Sequence, residues 1–426
     1  MKSLALLRQA AADPRLALML PLGFSSGLPF LLIFSTQSAW LSGAGVPPHQ
    51  VSLMSWCLLA FSFKFVWAPI VDRYDPPGLT AWLGRRRAWM LIAQLGIFVG
   101  LASLAFADPA QSLLWSAVCG SLTGFAAATQ DIVIDAWRID AAPTERQGLM
   151  VGVYSVGYRI ALISAGAGAL YLSDIVGWRT TYLIMSSLTA VGMAACLVAP
   201  RLDRVAAGPT PDLAASFTEP LRDLVSRYGA TIALMVLLVA FYRMPDFLSG
   251  VMATPLYKHL GYSNTEIATA SKLLGVWVSI AGTLAGGACV ARLGLMPSLM
   301  IGGIAAPASH LSFVWLAAQP HQLNALIVAV SCDNLATGFA GAALISYMSS
   351  LVAPRHAAAQ YALFSSVYAL PGKLVGGVSG FLVEDWGYPR FFATTATIGI
   401  PVALLCLWVW RLGALANRRL LKDNPA

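Results

Sequence analysis

At 426 residues, 58% hydrophobic, 11% charged and with a mean hydropathy of +0.71, the chain excludes a soluble globular protein built on one buried core. The formal net charge of +8 does not point to a nucleic-acid partner, because the Lys and Arg residues sit mostly at the ends of apolar runs. Those runs recur along nearly the whole chain, each long enough to cross a hydrocarbon layer roughly 30 Å thick at about 1.5 Å per residue.

In chain order, the expected fold is an all-α membrane protein of twelve transmembrane helices. Helices 1 to 6 are predicted at Leu16–Trp40, Gln50–Ile70, Ala88–Phe106, Ser112–Ile139, Thr144–Ser173 and Trp178–Val198. Helices 7 to 12 follow at Tyr228–Leu256, Asn264–Val290, Met296–Ala317, Leu323–Val352, Ala357–Val383 and Tyr388–Leu412. The first run lacks the short apolar core and small-residue cleavage site of a signal peptide, so it is read as a retained helix. Nineteen Lys and Arg residues fall on the side of the N-terminal tail and three, Arg179, Lys258 and Arg390, on the other. The positive-inside rule then puts both termini in the cytoplasm.

The longest hydrophilic interruption divides the chain into a six-helix bundle at 1–199, a cytoplasmic linker at 200–227 and a second six-helix bundle at 228–426. Inside the linker, FTEPLRDLVSR is compatible with a short surface helix. TGFA occurs at Thr123–Ala126 and again at Thr337–Ala340, an offset of 214 shared by Tyr154 and Tyr368, Arg159 and Lys373, and Gly166 and Gly380. Parallel six-helix halves of this kind are the architecture of major facilitator transporters, in which substrate is expected between the halves near the midplane. The loop DRYDPPGLTAWLGRRR after helix 2 is similar to the major facilitator cytoplasmic latch, which gives Asp72, Arg73, Arg85, Arg86 and Arg87 as gating candidates.

Ionisable side chains inside membrane helices are costly, roughly 2.5–3.5 kcal/mol near the centre even on lenient scales, and are functional hypotheses by default. Nine stand out: Lys64, Arg159, Arg243, Lys272, Lys373, Asp131, Asp135, Asp246 and Asp333. Counting about 1.5 Å per residue from the cytoplasmic ends places Lys64 and Asp135 at roughly 10 Å, Asp131 at about 15 Å and Arg159 at about 22 Å. That predicts two pairs, Asp131 with Arg159 and Asp135 with Lys64, and makes Asp131 and Asp135 the proton-coupling candidates. Five cations against four acids favour an anionic substrate. Trp40 and Tyr158 are candidates for stacking on a sugar or ring, with packing the commoner role for such aromatics. Gly27-Leu28-Pro29 and Pro371-Gly372 are expected weak points where bending allows alternating access.

No cysteine pair has CxxC spacing and no histidines have metal-ligand spacing, so the six cysteines read as small buried hydrophobes and His310 as a packed, hydrogen-bonded residue. No metal, cofactor or catalytic constellation is expected, which argues against an enzyme.

GLP followed by Ala-Trp in helix 1, FKFVWAPIVDRY (61–74), GRRRAW (84–89), QDIVIDAW (130–137), ERQG (145–148) and GYR (157–159) together resemble the AmpG family of anhydromuropeptide permeases. YRMPD (242–246), SKLLG (271–275) and the Asp333-Asn334 pair are similar to that family's second half. The resemblance implies a proton-driven carrier of the bacterial inner membrane that imports N-acetylglucosaminyl-1,6-anhydro-N-acetylmuramyl peptides for peptidoglycan recycling. In bacteria with an inducible β-lactamase, that cargo is also the inducing signal. It further implies a monomer surrounded by lipid, with the muropeptide and the proton as its small-molecule partners. The expected substrate contacts are Lys64, Arg159, Gln37, Trp40, Tyr158, Arg243, Asp246, Lys272, Asp333, Asn334 and Lys373. Two positions depart from the family pattern: Ser38 stands before the Ala-Trp of helix 1, with Gln37 one place earlier, and Asp333 stands where Glu is expected. A different organic anion on the same scaffold, or a non-transporting membrane sensor, stays open on the residues alone.

Overall fold

The computed structural model describes residues 14–109, 112–141, 144–202, 213–352 and 357–423, which are helical almost throughout and contain no strand. Among the described residues, nine stretches are long and apolar enough to cross a membrane. One of them, the 47-residue Gly152–Val198, carries both expected helices 5 and 6. Gly177 divides it with φ 76° and ψ 164°, a conformation essentially reserved for glycine. Gly387 repeats the same corner, φ 73° and ψ 160°, ahead of helix 12.

Helix 2 is not among the nine because it runs in short helical pieces joined by tight 3₁₀ turns at Ser55–Leu58 and Lys64–Val66. Helix 11 runs over Ala357–Gly376 and is interrupted just beyond, at Gly377-Val378. Helix 1 is likewise continuous through Gly27-Leu28-Pro29 and breaks at Ile33-Phe34 instead. Each expected weak point is therefore displaced by about a turn toward the C-terminus, and both prolines stay inside helix. The linker does hold a helix, Leu213–Tyr228.

The chain forms two compact units, residues 1–207 with 263–272, and residues 208–262 with 273–426. In each unit the TGFA repeat has a packing role. A Cβ on Gly124 would strike the carbonyl oxygen of Cys57 in helix 2, and one on Gly338 would strike that of Ser279 in helix 8. On its other side, the Ala126 Cβ stands 2.9 Å from the place a Cβ on Gly96 would occupy. Ala340 meets Gly302 in the same way, with its Cα at 2.9 Å. Helices 4 and 10 are thus held between two neighbours by small residues, since van der Waals contact, not hydrophobic expulsion, associates helices in lipid.

The first unit has two apolar cores. One surrounds Leu28, Leu101, Ala165 and Tyr182 and the other surrounds Met19, Val133, Trp137 and Cys196. The core of the second unit surrounds Tyr242, Leu299, Ala340, Tyr347 and Phe364. Of the cysteines, Cys332 is exposed and Cys289 half-buried, so the buried-hydrophobe expectation holds for the other four.

Candidate functional site

In the first unit, helices 1 and 4 are joined by two consecutive polar pairs. Ser25 donates to Gln130 Oε1 at 2.8 Å, and Ser26 donates to Asp131 Oδ1. Asp131 thus has a neutral hydroxyl as its hydrogen-bond partner. Lys64 is the cation whose charge acts on it, and Tyr154 and Tyr158 of helix 5 lie within electrostatic reach. This replaces the predicted pairing. Arg159 is exposed, and no ion pair joins it to Asp131 among the described residues. Asp135, 57% exposed, pairs with Arg138 at 3.3 Å on its own helix and not with Lys64. Counting depth along the helix could not show which groups the neighbouring helices present: Asp131 is met by Ser26 of helix 1, while Asp135, one turn nearer the helix end, is exposed.

The three arginines after Gly84 reach different partners inside the same unit. Arg85 lies 3.7 Å from Asp75, Arg86 pairs with Asp140 at the end of helix 4 at 3.0 Å, and Arg87 donates to the Leu197 carbonyl in helix 6 at 2.6 Å. They tie together the ends of helices 2, 4 and 6. The side chains of Asp72 and Arg73 lie outside the described residues, as do those of the ERQG segment.

Lys272 sits where three irregular backbone segments meet. Its Nζ donates to Ser35 Oγ at 2.9 Å, just past the break in helix 1. Its stem lies against Gly166, where an added Cβ would come within 3.2 Å of Lys272 Cδ, inside a wide π turn of helix 5 at Ser164–Gly168. Lys272 itself occupies a second π turn, Ala268–Leu274. Such single turns recur at functional positions because the extra residue redirects a side chain. No carboxylate pairs with this ammonium group among the described residues. The same ten-residue segment is secured by Asn264 donating to Ser173 at 2.9 Å, Thr265 donating to Asp174 at 2.8 Å, and Tyr171 with Thr269 at 2.5 Å.

In the second unit the charged side chains gather in one cluster. Arg243 stands at the junction of Thr231–Tyr242 and Met244–His259, with Nε 2.5 Å from Asp246 Oδ2, and donates to the Thr337 carbonyl at 3.0 Å. Ser309 donates to Asp333 at 3.2 Å. His310, fully buried, places Nε2 3.4 Å from Asp246 Oδ1 and 3.9 Å from Asp333 Oδ1. The sequence reading of His310 as a packed, hydrogen-bonded residue is half right: it is packed, but against two carboxylates. A histidine inside a membrane span beside Pro307 was the available signal.

The remaining candidates divide. Trp40 is buried in a stack with Trp178 at 5.8 Å and Tyr182 at 5.1 Å, so its ring packs the core. Tyr158 is half-buried, 6.3 Å from Tyr154. The Gln37 amide is buried without a hydrogen-bond partner among the described residues and faces Gly120, where an added Cβ would meet its Oε1 at 3.5 Å. Asn334 donates to the Val330 carbonyl of its own helix at 2.9 Å, and Lys373 is half-buried in helix 11. Sequence reasoning missed Ser25, Ser26, Ser35 and Tyr154 as well as His310; serines are too common in membrane helices to be singled out without a partner in view.

Comparison with known proteins places these features in a family. The Major Facilitator Superfamily pattern matches residues 16–376. The "Anhydromuropeptide permease" of Escherichia coli is 34% identical over 399 residues, covering 93% of this chain and 79% of that protein. "Putative transporter AmpG 4" of Rickettsia felis is 32% identical over 404 residues, covering 93% of this chain and 97% of that one. A POT family transporter solved with a thioalcohol-conjugated peptide superimposes with a TM-score of 0.70 at 13% identity, covering 92% of this chain and 95% of that chain, a likeness of fold alone. A bacterial homologue of the lysosomal transporter Spinster gives 0.69 at 17% identity over 97% of this chain and 100% of that one. The chain is a multi-pass membrane transporter, not an enzyme, and it belongs to the AmpG family within the Major Facilitator Superfamily.

Proposed function

We propose that this transporter is a proton-driven symporter that carries anhydromuropeptides from periplasm to cytoplasm across the bacterial inner membrane for peptidoglycan recycling. Both termini are cytoplasmic in this reading, and the chain acts as a monomer without a cofactor. The observation that carries it is the 34% identity, sustained over 93% of the chain, to a relative named as an anhydromuropeptide permease. Asp131 is assigned the proton, because a membrane-buried acid held by a hydroxyl and near a cation can exist in both charge states at modest cost. Asp135, exposed beside Arg138, serves the cytoplasmic end.

Lys272 is assigned a carboxylate of the peptide stem, since an ammonium group held by a serine keeps donors free for a charge-assisted bond. Arg159 and Lys373 are further candidate substrate contacts. Arg243 is committed to Asp246 and supports the site indirectly.

The test is uptake of a labelled anhydromuropeptide into proteoliposomes with an imposed pH gradient. Accumulation that collapses with a protonophore is the expected result. Absence of uptake, or uptake indifferent to the gradient, overturns the reading.

A further inference from the structure

We propose that His310, held between Asp246 and Asp333, is a proton-binding site of the second unit. Three features of the geometry point to it. First, the ring is delivered by a break in helix 9: the helix Leu295–Ser309 stops two residues after Pro307, and Leu311–Ala317 resumes beyond His310. Ser309 and His310 both lie at that break, one on Asp333 and the other between the two acids. Second, the ring is fully buried, and neither nitrogen makes a well-formed hydrogen bond among the described residues, Asp246 Oδ1 standing 3.4 Å from Nε2. A buried imidazole is normally fixed by a partner on at least one nitrogen, so this arrangement leaves room for a change of protonation.

Third, the charges do not balance. Arg243 neutralises Asp246 at 2.5 Å, while among the described residues Asp333 is met by the Ser309 hydroxyl and the histidine, with Arg243 acting on it at longer range. With the imidazole neutral the cluster carries one net negative charge in a buried site, an arrangement that is strongly unfavourable. One proton on the ring makes it neutral, with the Nε2–H directed at the two carboxylates and the second N–H on Nδ1.

The groups facing this cluster are Arg243 and Asp246 from helix 7 and Asp333 from helix 10. Three phenols complete it. Tyr257 of helix 7 and Tyr368 of helix 11 lie within electrostatic reach of Asp333 and Arg243 respectively, and the Tyr242 hydroxyl is held by the Leu299 carbonyl at 2.8 Å. From helix 12 the neighbour is apolar, Phe392 packing on Phe313 at 5.0 Å. Asp131 belongs to the other unit. Its part in coupling rests on the proton-driven reading above; protonation itself does not.

The experiment is a pH series of imidazole NMR spectra on the full-length chain, ¹⁵N-labelled at histidine, in lipid nanodiscs. The expected result is a resonance that shifts across the pH series, is lost in His310→Gln, and has its midpoint moved in Asp333→Asn. His310→Asn provides a second assignment should the first variant misfold. A His310 resonance that stays constant across the series, or one indifferent to Asp333→Asn, overturns the proposal. In proteoliposomes, His310→Gln is expected to lose gradient-driven accumulation to a greater degree than substrate counterflow; equal losses overturn the coupling role. Wild-type protein whose His310 titrates but which carries no anhydromuropeptide would sink the substrate assignment and leave the proton site standing.

Discussion

The two units treat buried charge in opposite ways. In the first, Asp131 and Lys272 are each held by a serine hydroxyl, and neither forms an ion pair among the described residues. In the second, Arg243, Asp246, His310 and Asp333 form one contiguous cluster in which Arg243 is paired with Asp246. The local backbone differs at three of these groups. Asp131 rides on the unbroken helix Leu113–Ala141, whereas Arg243 and His310 stand at helix interruptions. The lesson is that a duplicated scaffold does not duplicate its electrostatics. A hydroxyl-held charge can be given to a ligand or a proton, while a paired charge mainly fixes structure. Sequence counting of five cations against four acids blurred this, because it weighed Arg243 and Lys272 alike.

The comparison can be broken by substitution. The largest effect is expected at Asp131. Asp131→Asn keeps a group that can accept from Ser26 but cannot ionise, so gradient-driven uptake should be abolished while membrane insertion, read by protease protection, is preserved. Asp135→Asn, at an exposed position, should leave most uptake intact; equal losses at both would erase the distinction between an interior and a surface acid.

Next is Arg243→Ala, which strands Asp246 and should cost about 3–5 kcal/mol of stability in a detergent unfolding titration. The double change Arg243→Gln with Asp246→Asn should recover much of that loss, and a double variant no better than the single one would show that the pair is not what the site depends on. Smallest is Arg86→Ala. Its partly exposed bridge to Asp140 is of a kind worth roughly 0–1 kcal/mol, so thermal stability should barely change. A large loss there would instead assign the arginines after Gly84 a part in gating.

Much of the fold was legible beforehand. Apolar run length located the helices, and the boundaries of helices 4, 8, 9 and 10 lie within three residues of those expected, since hydrophobic thickness limits them directly. The repeated TGFA was legible as a repeat but not as to purpose; its glycines and alanines prove to be contact points between helices, where any larger side chain would collide. The helix breaks were mislocated because proline in a membrane helix weakens it without fixing where it yields.

For the site, the sequence by itself determined which side chains are expensive enough to matter. The cost of an ionisable group in hydrocarbon follows from residue type and position in an apolar run, and Asp131, Lys272, Arg243, Asp246 and Asp333 were all found that way. Partnership was decided only by tertiary structure. Depth along a helix can be counted from sequence, but the direction a side chain points, and the serine or histidine it meets on another helix, depend on how helices rotate and pack. That is why Asp131 was matched by depth to Arg159 and is met by Ser26, and why His310 emerges between two acids that lie 64 and 23 residues away in the chain.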